Sequence, residues 1–197
     1  MPIGVRFTLA DMDKAGQARG NPMLLIEIDE MPRIAGVNSP SDLYWVLKSP
    51  ALLAGMRYPR PDFPWRGLPA AGLSGVVALA PGSYDPSPLK LLFSQRLEDL
   101  CHGGNPSNPK KEERLIADAL EITLRSLRSG QGAVVHCIGG RGRTGTVLGA
   151  VLRRLGYGFP EVLAYLNRIH KARGKPGWPE SPWQSAFVER GTIEKLC

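Results

Sequence analysis

An apolar run, Ala133–His136, is followed by a loop of small residues, Cys137 to Gly142 (CIGGRG), and then by a continuous apolar stretch, Thr144–Arg154, closed by Gly156. The run suits a strand, and the later stretch fits a core helix buried on most sides. A strand feeding a helix through a glycine-rich turn calls for a sheet with helices laid against it, so this segment points to a layered α/β architecture. It also places several backbone N–H groups at a helix start, where they can be turned toward one point.

Short apolar runs bounded by turn residues predict strands at Leu24–Ile28, Leu52–Met56, Val76–Leu79, Leu89–Phe93 and Ala133–His136. Between the last two the sequence predicts a helix, with Asn108 as cap, Pro109 in the first turn and Gly130 at the end. Leu115, Ile116, Ala119, Leu120, Leu124 and Leu127 fall on one of its faces. Two more helices are expected, Pro160 to Ala172 with Val162, Leu163, Leu166 and Ile169 inward, and Pro182 to Arg190 behind Ser181 as cap. Tyr58 to Pro69 (YPRPDFPWRGLP) is too rich in breakers for a regular element and reads as a loop with a short turn. The expectation is a single layered α/β domain over residues 1–197, a central sheet of about five strands flanked by helices, with weakly patterned, mobile residues 1–20.

At 197 residues and 43% hydrophobic, the chain can fill one core and is short for two domains. No apolar run approaches the length of a bilayer span, and the opening MPIGVRFTLADMDK lacks the order of a secretory signal, so a soluble, cytoplasmic protein is expected. Cys101, Cys137 and Cys197 are too few and scattered for a disulfide framework and lack the paired spacing of a zinc site, which predicts free thiols. The net charge of +7 favours an anionic partner, and nucleic acid, acidic protein, a phospholipid headgroup and a phosphorylated small molecule all stay open. Oligomeric state is not readable.

The chemistry concentrates in VVHCIGGRGRTG, Val134 to Gly145. Ile138, Gly139, Gly140, Arg141, Gly142 and Arg143 form a candidate phosphate cradle, because glycines at 139, 140 and 142 let the main chain approach a tetrahedral oxyanion. The same field favours the thiolate of Cys137, a competent nucleophile. Arg143 offers a planar fork for two phosphate oxygens. Thr144 places a hydroxyl within reach of the sulfur, where it would stabilise a leaving thiolate, and His136 would orient the loop from behind. A buried inert cysteine, a nucleotide-binding loop and a sulfur-transfer loop of the rhodanese type are the competing readings. The nucleotide loop lacks its Lys-Ser or Lys-Thr ending, and Arg143 followed by Thr144 disfavours sulfur transfer.

His136-Cys137, five residues, Arg143, then Thr144-Gly145 resembles the signature of the protein tyrosine and dual-specificity phosphatase superfamily. Leu89 to Arg173 resembles the second half of the compact dual-specificity type, and Leu52–Ala80 agrees more loosely. CIGGRGRTG and Gly103-Gly104-Asn105-Pro106 are similar to the cyclin-dependent-kinase-associated phosphatases and small microbial relatives. The resemblance implies a two-step reaction through a phosphocysteine, with no metal or organic cofactor. It places the general acid on the loop before the helix that precedes the signature, where Asp99 sits in RLEDLCHGGNP, with Glu98 and Asp85 as competitors.

Gln184 is similar to the glutamine that some members use to place the attacking water, or else lies on a helix surface. Trp178 and Trp183 wall the rim or pack a proline-rich corner. Arg141 adds a cation at the cradle mouth that either reads the substrate, as in lipid phosphatases of the superfamily, or only steers anions. Arg57, Arg60 and Arg66 would add positive potential or lie scattered on the surface, and Cys101 could form a protective disulfide with an oxidised Cys137. Three functions compete: a protein tyrosine or dual-specificity phosphatase acting on a phosphorylated protein; a phosphatase of polyanions such as phosphoinositides, inositol phosphates or RNA 5′ ends; and a non-catalytic phosphate-binding module.

Overall fold

In the computed structural model, which describes residues 32–191, five strands form one sheet: β1 (Leu43–Leu47), β2 (Leu53–Met56), β3 (Leu73–Ala78), β4 (Lys90–Ser94) and β5 (Gly132–His136), in the order β1-β2-β5-β3-β4. β1 runs antiparallel to β2, and the other pairings are parallel. Four helices accompany them, α1 (Pro109–Arg128), α2 (Gly142–Arg154), α3 (Phe159–Ala172) and α4 (Pro182–Arg190). This is the α/β layered domain expected, and the helix bounds follow the sequence signals closely. Asn108 accepts the Lys111 N–H at 3.0 Å to cap α1, and Ser181 and Gln184 form a capping box on α4.

The strand expected at Leu24–Ile28, the mobility expected of residues 1–20 and Cys197 lie outside the described residues. Among the described residues the sheet also holds a strand that is not one of those expected from the sequence, β1, LYWVL, in which every residue is buried. Its aromatic residues keep their polar tips satisfied: the Tyr44 hydroxyl donates to the Gly140 carbonyl at 2.9 Å and the Trp45 indole N–H to the Pro32 carbonyl at 3.0 Å. The helices flank the sheet as expected, and all four pack on one of its faces. The buried apolar residues of all four join Tyr44, Val46, Ala133 and Val135 in one core. On the other face Leu43, Trp45, Ala54, Val76 and Val134 pack under Phe63, Trp65 and Leu68. The proline-rich segment, with 3-10 turns at Trp65–Gly67 and Pro69–Ala71, therefore covers the second face.

The parallel register aligns the ends of three strands. Met56 pairs with His136, and His136 with Ala78, so β2, β5 and β3 finish at one level. Everything that follows those residues is delivered to the carboxyl edge of the sheet, the usual place for a ligand in open α/β sheets.

Helix α1 carries its cap directly behind the loop that ends β4, so the cap couples loop and helix. Asn108→Ala should cost about 1 kcal/mol, read as a lower urea midpoint at an unchanged slope.

Candidate active site

The loop between β5 and α2 is shaped by what pulls on its carbonyls. Ile138 O accepts the Tyr58 N–H at 2.8 Å, and Gly139 O accepts Arg173 Nη2 at 3.3 Å. Gly140 O accepts both the Tyr44 hydroxyl and Arg173 Nη1, the latter at 2.7 Å. In a planar trans peptide the C=O and the next N–H point opposite ways. Drawing these three carbonyls outward therefore turns the N–H groups of Gly139, Gly140 and Arg141 inward, toward the start of α2 with its own unpaired amides.

The glycines serve this loop differently from the expectation. Gly140 has φ +64°, and a Cβ there would run into the Met56 carbonyl; a Cβ at Gly142 would strike the Glu180 carboxylate. Both are required by what packs against the loop, whereas Gly139 faces open space.

Cys137, where this turn begins, is buried, and Arg143, where it ends, is only 5% exposed. Arg143 donates through Nη1 to Leu97 O at 3.4 Å and through Nη2 to Asp99 Oδ2 at 2.5 Å, but its buried Nε has no partner. The Thr144 hydroxyl is likewise buried and unpartnered, so it makes no hydrogen bond to the Cys137 sulfur. Buried polar groups are nearly always satisfied, and two orphans on adjacent residues, where the loop from Cys137 enters α2, suit a place that receives an oxygen-rich group.

His136 lies behind the loop. Its Nδ1 is 3.2 Å from the Cys137 carbonyl, an acceptor only, so Nδ1 carries the proton and Nε2 accepts from the Tyr84 hydroxyl. Tyr58 and Tyr84 meet the ring edge-on, and Trp65 stacks on Tyr84. Burial drops the imidazole pKa to about 4, so it is neutral at pH 7.

The loop after β4 separates the candidate acids. Both Glu98 carboxylate oxygens accept from the Ser107 N–H, at 3.0 and 2.9 Å, while the buried Glu112 carboxylate accepts the Glu98 N–H at 3.1 Å. Burial pushes the Glu112 pKa up, opposed in part by the Arg143 charge. Asp85 is occupied by Ser87, at 2.9 and 2.7 Å. Asp99 alone of the three reaches Arg143, with its side chain 47% exposed. Its other oxygen accepts the Cys101 N–H at 3.2 Å.

The segment from Arg173 to Gln184 closes over the loop from α3 to α4. Trp178 is buried and donates its indole N–H to Gly142 O at 3.3 Å, joining rim and core, while Trp183 stacks on Phe187. Gln184 is not on the helix surface: it is buried, and its Oε1 accepts the Glu180 and Ser181 N–H groups at 2.9 and 3.3 Å. Nor is Arg141 a free cation, since its Nε is paired with Glu180 Oε1 at 2.7 Å. Arg57 and Arg60 share the buried Asp42 at 3.9 Å each, and Arg66 lies on a turn beside Asp85 in a separate open cavity. Cys101 is exposed and Cys137 buried, both as free thiols.

Arg173, Tyr44, Tyr58, Glu112 and Glu180 escaped the sequence reading. Only Glu112 carried a local cue, an acid in the first turn of a helix.

His170, whose Nδ1 accepts from Arg173 at 3.0 Å, is held at a pKa of about 3 by burial and by the neighbouring arginines. Both buried histidines are neutral when folded, and the unfolded chain binds protons first as pH falls through about 6.5. Their stabilising contribution is complete above that pH and is lost progressively toward their folded values. The urea midpoint should therefore fall between pH 7 and pH 5, and fall less in His170→Gln.

Residues 106–157 match a family model described as Tc-R-P, a polymorphic toxin system DSP-PTPase phosphatase. Among solved structures, Tk-PTP in its active form is 25% identical with a TM-score of 0.51, over 70% of this chain and 89% of its own. The core catalytic domain of the PP-IP phosphatase SIW14 from S. cerevisiae is 19% identical with a TM-score of 0.54, over 73% and 83%. Kinase-associated phosphatase (KAP) is 14% identical with a TM-score of 0.51, over 71% and 84%. With a five-stranded sheet that delivers a strand, a Cys-containing glycine loop and a buried helix in this order, the chain shares the fold of these phosphatases, and its residues 106–157 are similar to the DSP-PTPase phosphatase model.

Proposed function

We propose that this protein is a cysteine-dependent phosphatase that hydrolyses phosphate monoesters on protein side chains through a phosphocysteine intermediate. The observation that carries the reading is the pair of buried, unpartnered groups, Arg143 Nε and Thr144 Oγ1, in the first turn of α2 at the end of the loop that begins with Cys137.

In the first step the Cys137 thiolate attacks phosphorus, an S–P bond forms, and the bond to the ester oxygen breaks. Asp99 serves as the general acid that gives a proton to that oxygen. The loop amides and Arg143 hold the three non-bridging oxygens, with Arg143 Nε supplying a donor now unused. In the second step Asp99 accepts a proton from water as water attacks phosphorus and the S–P bond breaks. The Thr144 hydroxyl then donates to the departing thiolate. The Arg143 contact keeps Asp99 near the reacting atoms, and its exposed position lets the loop swing between substrate and solvent. Gln184 supports this arrangement by fixing Glu180 and Ser181 in the rim, and His136 by holding the Cys137 carbonyl.

The polyanion reading draws on the charge of +7 and on the fold likeness to SIW14, a PP-IP phosphatase. It is weakened by the pairing of Arg141 with Glu180, which occupies the extra loop cation. A binding module without catalysis is disfavoured by Asp99 standing on Arg143.

Hydrolysis of p-nitrophenyl phosphate against pH, without added metal, tests the assignment. Turnover should vanish in Cys137→Ser. In Asp99→Ala it should fall about 100- to 10,000-fold and lose its alkaline limb. No turnover by the folded, reduced protein would favour the binding module instead.

A further inference from the structure

The two arginines of the signature loop are used in opposite ways. Arg143 keeps a buried donor unpartnered at the cradle, while Arg141 gives its Nε to Glu180 at 2.7 Å. This pair is no loose surface contact: the two side chains are 17% and 14% exposed. Glu180 is also fixed from a second direction, because Gln184 Oε1 accepts its backbone N–H at 2.9 Å. From a third, its carboxylate lies where any side chain at Gly142 would have to go. Charge-assisted, partly desolvated pairs of this kind cost more to separate than exposed ones.

We propose that Glu180 is a specificity-determining residue that reserves the site for singly phosphorylated protein side chains, by holding Arg141 and keeping a negative charge at the rim of the cradle. The inference rests on the phosphatase reading above and names its substrate class. A lone phosphoester needs only the loop amides and Arg143. A compact cluster of phosphates would need Arg141 as well, would have to displace the carboxylate that already holds it, and would meet that carboxylate's charge. Like charges brought together in this way reject a partner as effectively as missing contacts do.

Glu180→Gln keeps the size of the side chain and removes its charge, which should release Arg141 to a second phosphate. Inositol hexakisphosphate serves as the probe, titrated calorimetrically into Cys137→Ser and into Cys137→Ser/Glu180→Gln, with thermal melting as the check on folding. Affinity should rise at least about tenfold in the double variant. The gain should shrink at high salt and disappear when Arg141→Ala is added. Unchanged or weaker binding by a folded double variant would overturn the proposal; if the Gln variant does not fold, Glu180→Asp, which draws the carboxylate back from Arg141, is judged by the same criterion. In parallel, kcat/KM for inositol hexakisphosphate relative to a phosphotyrosine peptide should rise in Glu180→Gln, and an unchanged ratio would count equally against it. Absence of turnover in every variant would sink the phosphatase reading, while the titration would still decide the role of Glu180.

Discussion

All five N–H groups of one buried arginine are spent on holding the signature loop in place. Arg173 donates to Gly139 O, Gly140 O, Pro40 O, Ser41 O and His170 Nδ1, and its guanidinium lies 4.4 Å from the centroid of the Tyr44 ring. A guanidinium has five donors in a rigid plane, and here none is left over. Two of the bonds fix carbonyls that must point outward if the amides are to point inward. Two more tie the end of α3 to the segment leading into β1, and the fifth holds His170. A lysine could satisfy fewer acceptors, with no fixed plane to set their directions.

The rest of the site follows from where the sheet delivers its strands. The shared level of Met56, His136 and Ala78 brings the loop after β2 against the signature loop, so that Tyr58 N–H reaches Ile138 O. On the far face the Tyr84 and Tyr58 rings meet His136, with Trp65 stacked on Tyr84, and burial keeps the imidazole neutral, its single proton directed at the Cys137 carbonyl. On the helix side Glu112 fixes the Glu98 backbone, which leaves Asp99 as the carboxylate over Arg143. Each of these contacts constrains direction more than it adds energy. Of the four buried side-chain groups left unsatisfied among the described residues, Arg143 Nε and Thr144 Oγ1 are the ones a bound phosphoryl group and a thiolate would use.

The helices and the signature were legible because their cues are local. Asn108, Pro109 and Gly130 bound α1 within a few residues, and Ser181 with Gln184 announces α4. The supports were not legible because they act across long separations: Tyr44 meets Gly140 from 96 residues away, and Arg141 meets Glu180 from 39. Strand β1 had a readable signal in the aromatic and branched run LYWVL, bounded by Asp42 and by Lys48-Ser49-Pro50. Gln184 carried a misleading one, since its polar side chain suggested a surface while its oxygen caps a buried turn. Arg141 misled in the same way, because sequence shows a cation but not the carboxylate folded onto it.

The central claim is that Cys137 carries the phosphoryl group. Removing Asp99 should slow the second step, while an aryl phosphate with a good leaving group can still complete the first without an acid. Asp99→Ala would be mixed with such a substrate, quenched in acid within the first turnover, digested and mapped by mass spectrometry. A phosphoryl group on the peptide containing Cys137, absent in Asp99→Ala/Cys137→Ser, is the result the account predicts. A phosphoryl group on another residue, or turnover that persists in Cys137→Ser, would contradict it.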